Sequence, residues 1–138
     1  MSITYRKLRK YKYQLRNEYS VQTELTNRDV NTKFIDLAVD GMLTIRTNYA
    51  WDGPSGPTFD TKNFMRGSLV HDAFYQLMRE SELERDQRKY ADELLRRMCR
   101  EDGMSRLRAR SVYRGVRIGG RRAVKPPTTP WDKEYTAP

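Results

Sequence analysis

Hydrophobic positions alternate with polar ones in the first third of the chain and recur at helical spacing in most of the remainder. Over residues 11 to 25, Tyr11, Tyr13 and Leu15, then Tyr19, Val21 and Thr23, fall at every second position. That is the period of half-buried strands rich in aromatic and β-branched residues, and it predicts one or two strands. Ile35, Leu37 and Val39 alternate up to Asp40-Gly41, after which Leu43 and Ile45 resume the same alternation. An Asp-Gly pair between two such runs predicts a type I′ hairpin, because both central positions of that turn need positive φ. Together these segments predict a small antiparallel sheet.

Residues 50 to 60, AWDGPSGPTFD, hold two of the eight glycines and two of the six prolines, punctuation that predicts a fixed, irregular loop. Asp60 or Thr61 is placed to cap a helix running to about residue 79, with Phe64, Ser68, His71, Tyr75 and Met78 on one face. Ser81-x-x-Glu84 has the form of a capping box. It would open a second helix that carries Leu94, Leu95 and Met98 and stops at Gly103. A third helix, turning Leu107, Ser111, Val112 and Val116 inward, ends at Gly119-Gly120. Four of the prolines lie in the last 13 residues, so residues 126–138 are expected to form an extended arm, ordered only where something holds it. The expected fold is α+β: an N-terminal antiparallel hairpin or small sheet, a Gly-Pro loop and three packed helices in one domain over residues 1–125, followed by the arm.

The length of 138 residues suits one domain. Only 37% of residues are hydrophobic, and no apolar run approaches the roughly 20 residues a membrane-spanning helix needs. Met1 to Tyr5 offers no apolar stretch for a secretory signal, so the chain is expected to act where it is made or inside an assembly. A lone Cys99 excludes an intrachain disulfide and suggests neither a cysteine zinc cluster nor a Cys-His nucleophile. Chemistry is left to oxygen and imidazole groups.

Charge changes the picture further. Residues 1 to 16 carry +6 and residues 103 to 125 carry +8, neither with an acid, so the rest of the chain is −5 although the whole is +9. A mildly acidic middle between two basic segments reads as surfaces aimed at an anionic partner: nucleic acid, an anionic membrane surface or an acidic protein patch. A solvated helix face is the plainer alternative. Tyr5, Tyr11, Tyr13 and Tyr19 stand among basic residues, either to stack on bases or simply as the face of a strand.

The single histidine is followed by an acid, His71-Asp72, in the middle of the first predicted helix, and Asp92 lies in the middle of the second. An antiparallel helix pair turning at residues 80 and 81 sets position 71 opposite about position 90 or 91, which offsets Asp92 by roughly 3 Å at 1.5 Å rise per residue. A carboxylate on one ring nitrogen fixes the tautomer and leaves the other nitrogen to take a proton from water. Asp72, rotated about 100° from His71, points toward a neighbouring loop. Carbonyls of the loop at 50 to 57 together with one carboxylate are hard oxygen ligands of the kind calcium takes. The alternative for His71 is a core histidine satisfied by Tyr75 or Asp92. For Asp92 it is an i,i+4 pair with Arg96, and for Gly67 close helix packing.

The series Gly53-Pro54-Ser55-Gly56, His71-Asp72, Tyr75 and Asp92 resembles the active-site pattern of secretory and parvoviral phospholipases A. In those enzymes HDxxY sits on one helix and a second Asp on its antiparallel neighbour. The resemblance covers about residues 49 to 99. It implies His71 as general base for water, Asp72 as a calcium ligand, Tyr75 and Asp92 as hydrogen-bonding supports, and Gly53 and Gly56 as parts of the metal loop. Over about residues 40 to 122 the chain is also similar to a family of small phage and prophage proteins of uncharacterised function. The likeness rests on the Trp51 to Pro57 loop, Val70-His71-Asp72-Ala73-Phe74-Tyr75, Ala91-Asp92 to Met98, and Arg108-Ala109 through Val116-Arg117-Ile118-Gly119-Gly120. It implies a phage protein of the virion or host cytoplasm with other phage structural proteins as partners. The function expected is a calcium-dependent hydrolase of an envelope ester such as phospholipid. The alternatives are a non-catalytic structural or adaptor component of the particle, in the tail or connector, and a nucleic-acid-binding accessory protein using the arginine-rich third helix.

Overall fold

The computed structural model describes residues 2–8, 13–53 and 61–125, and over these the chain is α+β. Seven short strands precede three helices. The strands are β1 (Tyr5–Lys7), β2 (Tyr13–Leu15), β3 (Tyr19–Gln22), β4 (Val30–Asn31), β5 (Ile35–Leu37), β6 (Met42–Ile45) and β7 (Ala50–Trp51). They form two antiparallel sheets, one in the order β1-β2-β7 and the other β3-β6-β5-β4. The alternation that predicted them is the alternation of burial. Tyr13, Leu15, Ile35, Leu37, Leu43 and Ile45 face the core, while on the outer face Ser20 and Thr44 share a hydroxyl hydrogen bond of 2.9 Å.

The β5–β6 hairpin is present, but its turn differs from the type I′ expected. The register pairs Leu37 with Leu43, Gly41 N–H donates to Ala38 C=O, and Gly41 alone in the turn has positive φ, at +92°. This is the three-residue loop in which glycine takes the left-handed position after a tight turn. A Cβ on Gly41 would also meet the Thr23 carbonyl oxygen at 2.3 Å. Val39 consequently rides on the exposed loop instead of continuing the buried stripe.

The helices are α1 (Lys62–Arg79), α2 (Arg88–Glu101) and α3 (Arg106–Gly119). Helix α1 is the central element, with both sides occupied: buried residues run almost without interruption from Phe64 to Met78. It packs against α2, and α2 against α3. Gly67 lets α1 approach closely, since a Cβ there would stand 3.0 Å from Leu95 Cδ1 and 3.3 Å from Cys99 Sγ. The buried Arg66 guanidinium ties α1 to its surroundings by donating to Tyr19 Oη at 2.8 Å and to Asp102 and Glu101 at 3.0 Å.

Two helix expectations are corrected. Ser81 does not open a capping box; it sits in the α1–α2 turn at φ +60°. Glu84 bonds Arg28, and α2 begins only at Arg88, after a 3-10 turn over Arg85–Gln87. On α3 the inward residues are Ala109, Val112 and, half-buried, Val116, whereas Leu107 and Ser111 are exposed. Ala109 and Val112 pack there with Leu95 and Cys99 of α2 and with Met104. The helix does end at Gly119-Gly120, and Ser105 caps its start by accepting from Arg108 N–H at 3.2 Å. Asp60, Tyr11, the 54–60 loop including Gly56, and the 126–138 arm lie outside the described residues. Among the described residues no helix is long and apolar enough to cross a membrane.

Candidate active site

The α1–α2 turn folds the second helix back along the first, and this sets His71 against Asp92. His71 Nε2 lies 2.7 Å from Asp92 Oδ1. Tyr75, one turn further along α1, donates its hydroxyl to the same oxygen at 2.6 Å. The other carboxylate oxygen accepts from Arg117 Nη1 of α3 at 2.9 Å, with Arg88 Nη1 at 3.5 Å. Arg88 also donates to the Val116 and Arg117 carbonyls at the end of α3. The Asp92 side chain has no solvent-accessible surface, and one carboxylate thus joins all three helices.

Arg88 and Arg117 were not among the residues singled out from sequence. The i,i+4 partner of Asp92 is Arg88 and not Arg96, which instead stacks on Tyr113 with its guanidinium 5.6 Å from the ring centre. Arg117 entered the sequence reading only as part of the Val116-Arg117-Ile118-Gly119-Gly120 segment, with no role at the site. Those glycines matter to the site, for a Cβ on Gly120 would come within 2.4 Å of the Tyr75 hydroxyl.

His71 and Asp72 line a cavity of about 560 Å3, together with Tyr49, Trp51, Asp52 and Gly53 on the strand side and Val116 on the α3 side. Two hydrogen bonds fix the strand wall to α1: Trp51 Nε1–H to Ser68 Oγ at 3.1 Å and Tyr49 O–H to Gln76 Oε1 at 3.1 Å. Gly53, at φ +73°, lies under the Tyr13 ring, where a Cβ would be 2.6 Å from Tyr13 Cε2. Asp92 is not among the lining residues, whereas His71 is, and with Nε2 against Asp92 the ring nitrogen left over is Nδ1. Nδ1 is 3.8 Å from Asp72 Oδ1, within ion-pair range but too far for a direct hydrogen bond.

The electrostatics follow from these contacts. Burial pushes the His71 pKa down, but Asp72 and Asp92 outweigh it and hold the imidazole above its usual 6.5. Burial would raise Asp92, yet its bonds to His71, Tyr75 and Arg117 keep its carboxyl below the usual 3.8. Asp92 is therefore ionised at neutral pH. A neutral His71 then carries its proton on Nε2, toward Asp92, and leaves Nδ1 as a lone-pair acceptor. Tyr75 is pushed upward by burial and by Asp92, so it stays a protonated donor.

Asp72 differs from Asp92 in having no matched set of donors. Burial raises its carboxyl and Asp52 raises it further, against the opposing effects of His71 and Arg79. Its side chain is 30% accessible, onto the cavity. A carboxylate so placed, with Asp52 lining the same cavity from the strand side, offers the oxygen donors that a hard cation such as calcium takes. Among the described residues, however, no three His, Cys, Asp or Glu side chains converge as a metal cage. No protein-family model, curated protein or solved structure matches the chain.

Proposed function

We propose that the chain is a hydrolase that activates water at His71 Nδ1 for attack on an ester carbonyl, with a phospholipid-type ester of a cell envelope as substrate. The observation that carries this reading is the His71 Nε2–Asp92 Oδ1 contact of 2.7 Å in a histidine that itself lines a cavity of about 560 Å3. Asp92 orients the ring, and Tyr75 and Arg117 orient Asp92. Water held between Nδ1 and the cavity gives its proton to Nδ1 while its oxygen bonds to the carbonyl carbon. Collapse of the tetrahedral adduct breaks the bond to the alcohol, which takes the proton back from the imidazolium. Asp72, with Gly53 and Gly56 of the preceding loop, would hold calcium, which when bound supplies positive charge beside the carbonyl oxygen.

A second reading, a non-catalytic adaptor of a phage particle, is favoured by the same network: a fully paired Asp92 joining three helices is useful to the fold without any chemistry. Turnover separates the two. The hydrolase reading expects calcium-dependent release of fatty acid from phospholipid, lost in His71→Ala and in Asp72→Asn while the melting transition persists. A folded wild-type chain that releases no fatty acid with calcium present would remove that reading and leave the adaptor.

A further inference from the structure

We infer that the outer face of α3 is a docking surface for an anionic lipid bilayer. The inference deepens the ester-hydrolase reading by naming how a lipid substrate is met, although docking itself needs no turnover. Leu107 and Ile118 are 77% and 83% exposed. They are eleven residues apart, close to three helical turns, so they point to the same side of α3 about 16 Å from one another. Arg106, Arg110 and Arg114, at successive i,i+4 positions, run beside them, and Arg121 and Arg122 continue the basic surface past the helix end; all five are exposed. No acidic residue occurs between 103 and 125, and no hydrogen bond or ion pair to Arg110 or Arg114 occurs among the described residues.

The opposite side of the same helix is already used. Ala109 and Val112 pack inward, and Val112, Gly115, Val116 and Gly119 border the cavity that His71 faces. A surface that meets the outer face of α3 therefore lies one helix diameter, about 10 Å, from the candidate site. Basic residues alone would suit any polyanion. The two almost fully exposed aliphatic side chains decide between polyanions, because phosphates of a nucleic-acid duplex give them nothing to enter, whereas a helix lying in a bilayer interface buries such residues at the boundary of headgroups and acyl chains.

The test is co-sedimentation of the full chain, in the His71→Ala background and in chelator, with vesicles of phosphatidylcholine alone or mixed with phosphatidylglycerol. Binding is expected only with phosphatidylglycerol. Arg110→Ala with Arg114→Ala should weaken partitioning roughly 30-fold, about 5-fold per arginine. Leu107→Ser with Ile118→Ser should weaken it at least about tenfold. All four side chains are exposed, so the melting temperature should not move. Absence of binding that depends on phosphatidylglycerol, or binding indifferent to both pairs, overturns the proposal. So does tight, salt-sensitive binding to duplex DNA, or self-association abolished by Leu107→Ser/Ile118→Ser, without vesicle binding. A chain that docks but hydrolyses nothing fails the hydrolase reading alone; one that hydrolyses a soluble short-chain ester but does not dock fails this inference alone.

Discussion

Replacing Asp92 by alanine should be among the most damaging single changes in the chain. The substitution leaves His71 Nε2, the Tyr75 hydroxyl and two guanidinium groups without the acceptor they share. Removing one member of a buried, hydrogen-bonded ion pair costs about 3–5 kcal/mol. Here Arg88 is 12% and Arg117 31% exposed, so both can recover some hydration, which places the expected loss near the lower end, about 3 kcal/mol. Asp92→Asn keeps the volume and one acceptor oxygen but loses the charge, and should cost roughly half as much. The assay is urea unfolding followed by far-ultraviolet circular dichroism, with the m-value compared to ensure that the unfolded reference is unchanged. A cycle with Arg117→Ala should show coupling of about 0.5–3 kcal/mol, because the two side chains share one network. An Asp92→Ala protein within about 0.5 kcal/mol of wild type, the range of ordinary surface substitutions, would refute the view that this carboxylate holds the helices together.

Three further outcomes are expected. The folded-state pKa of Asp92 is lowered from 3.8, so its contribution is complete above the unfolded value and is lost as pH falls through the folded one; wild type should lose stability below about pH 3.8 more steeply than Asp92→Asn, and parallel curves would contradict the shift. Gly67→Ala adds a methyl 3.0 Å from Leu95 Cδ1, and overpacking of about 1–3 kcal/mol should exceed the gain in helix propensity of about 1 kcal/mol; a raised melting temperature would show that α1 and α2 can part at no cost. Burial pushes the Cys99 thiol up to about 12, so its reaction with a disulfide reagent should track unfolding in urea, and rapid labelling of the native chain would show that α1–α2 packing opens locally.

The α+β class and the approach of His71 to Asp92 were both legible, for a physical reason. The distance from His71 to Asp92 depends only on helical rise and the position of one turn, and both are local properties of residues 62 to 101. The buried strand faces were legible in the same way, through the alternation of Ile35 with Leu37 and of Leu43 with Ile45. Strands of two or three residues such as β4 and β7 are too short to carry a period. Arg117 reaches Asp92 across 25 residues of sequence, and no periodic signal encodes such a contact. On α3 the expected inward set was half right: Val112 and Val116 face in, whereas Leu107 and Ser111 are exposed and Ala109 takes the inner place, because apolar residues stand on both sides of this helix, with Leu107 and Ile118 facing out.

The double use of Asp92 has an evolutionary consequence. Selection for folding alone suffices to keep His71, Tyr75, Asp92 and Arg117, because each loses a partner when another is replaced. Asp72 has no such protection: its nearest polar partner among the described residues is an imidazole nitrogen 3.8 Å away. A lineage that had abandoned hydrolysis would retain the histidine and its supporting aspartate and drift first at position 72. Among descendants of this chain, the residue beside the histidine, more than the histidine itself, would record whether chemistry was still being selected.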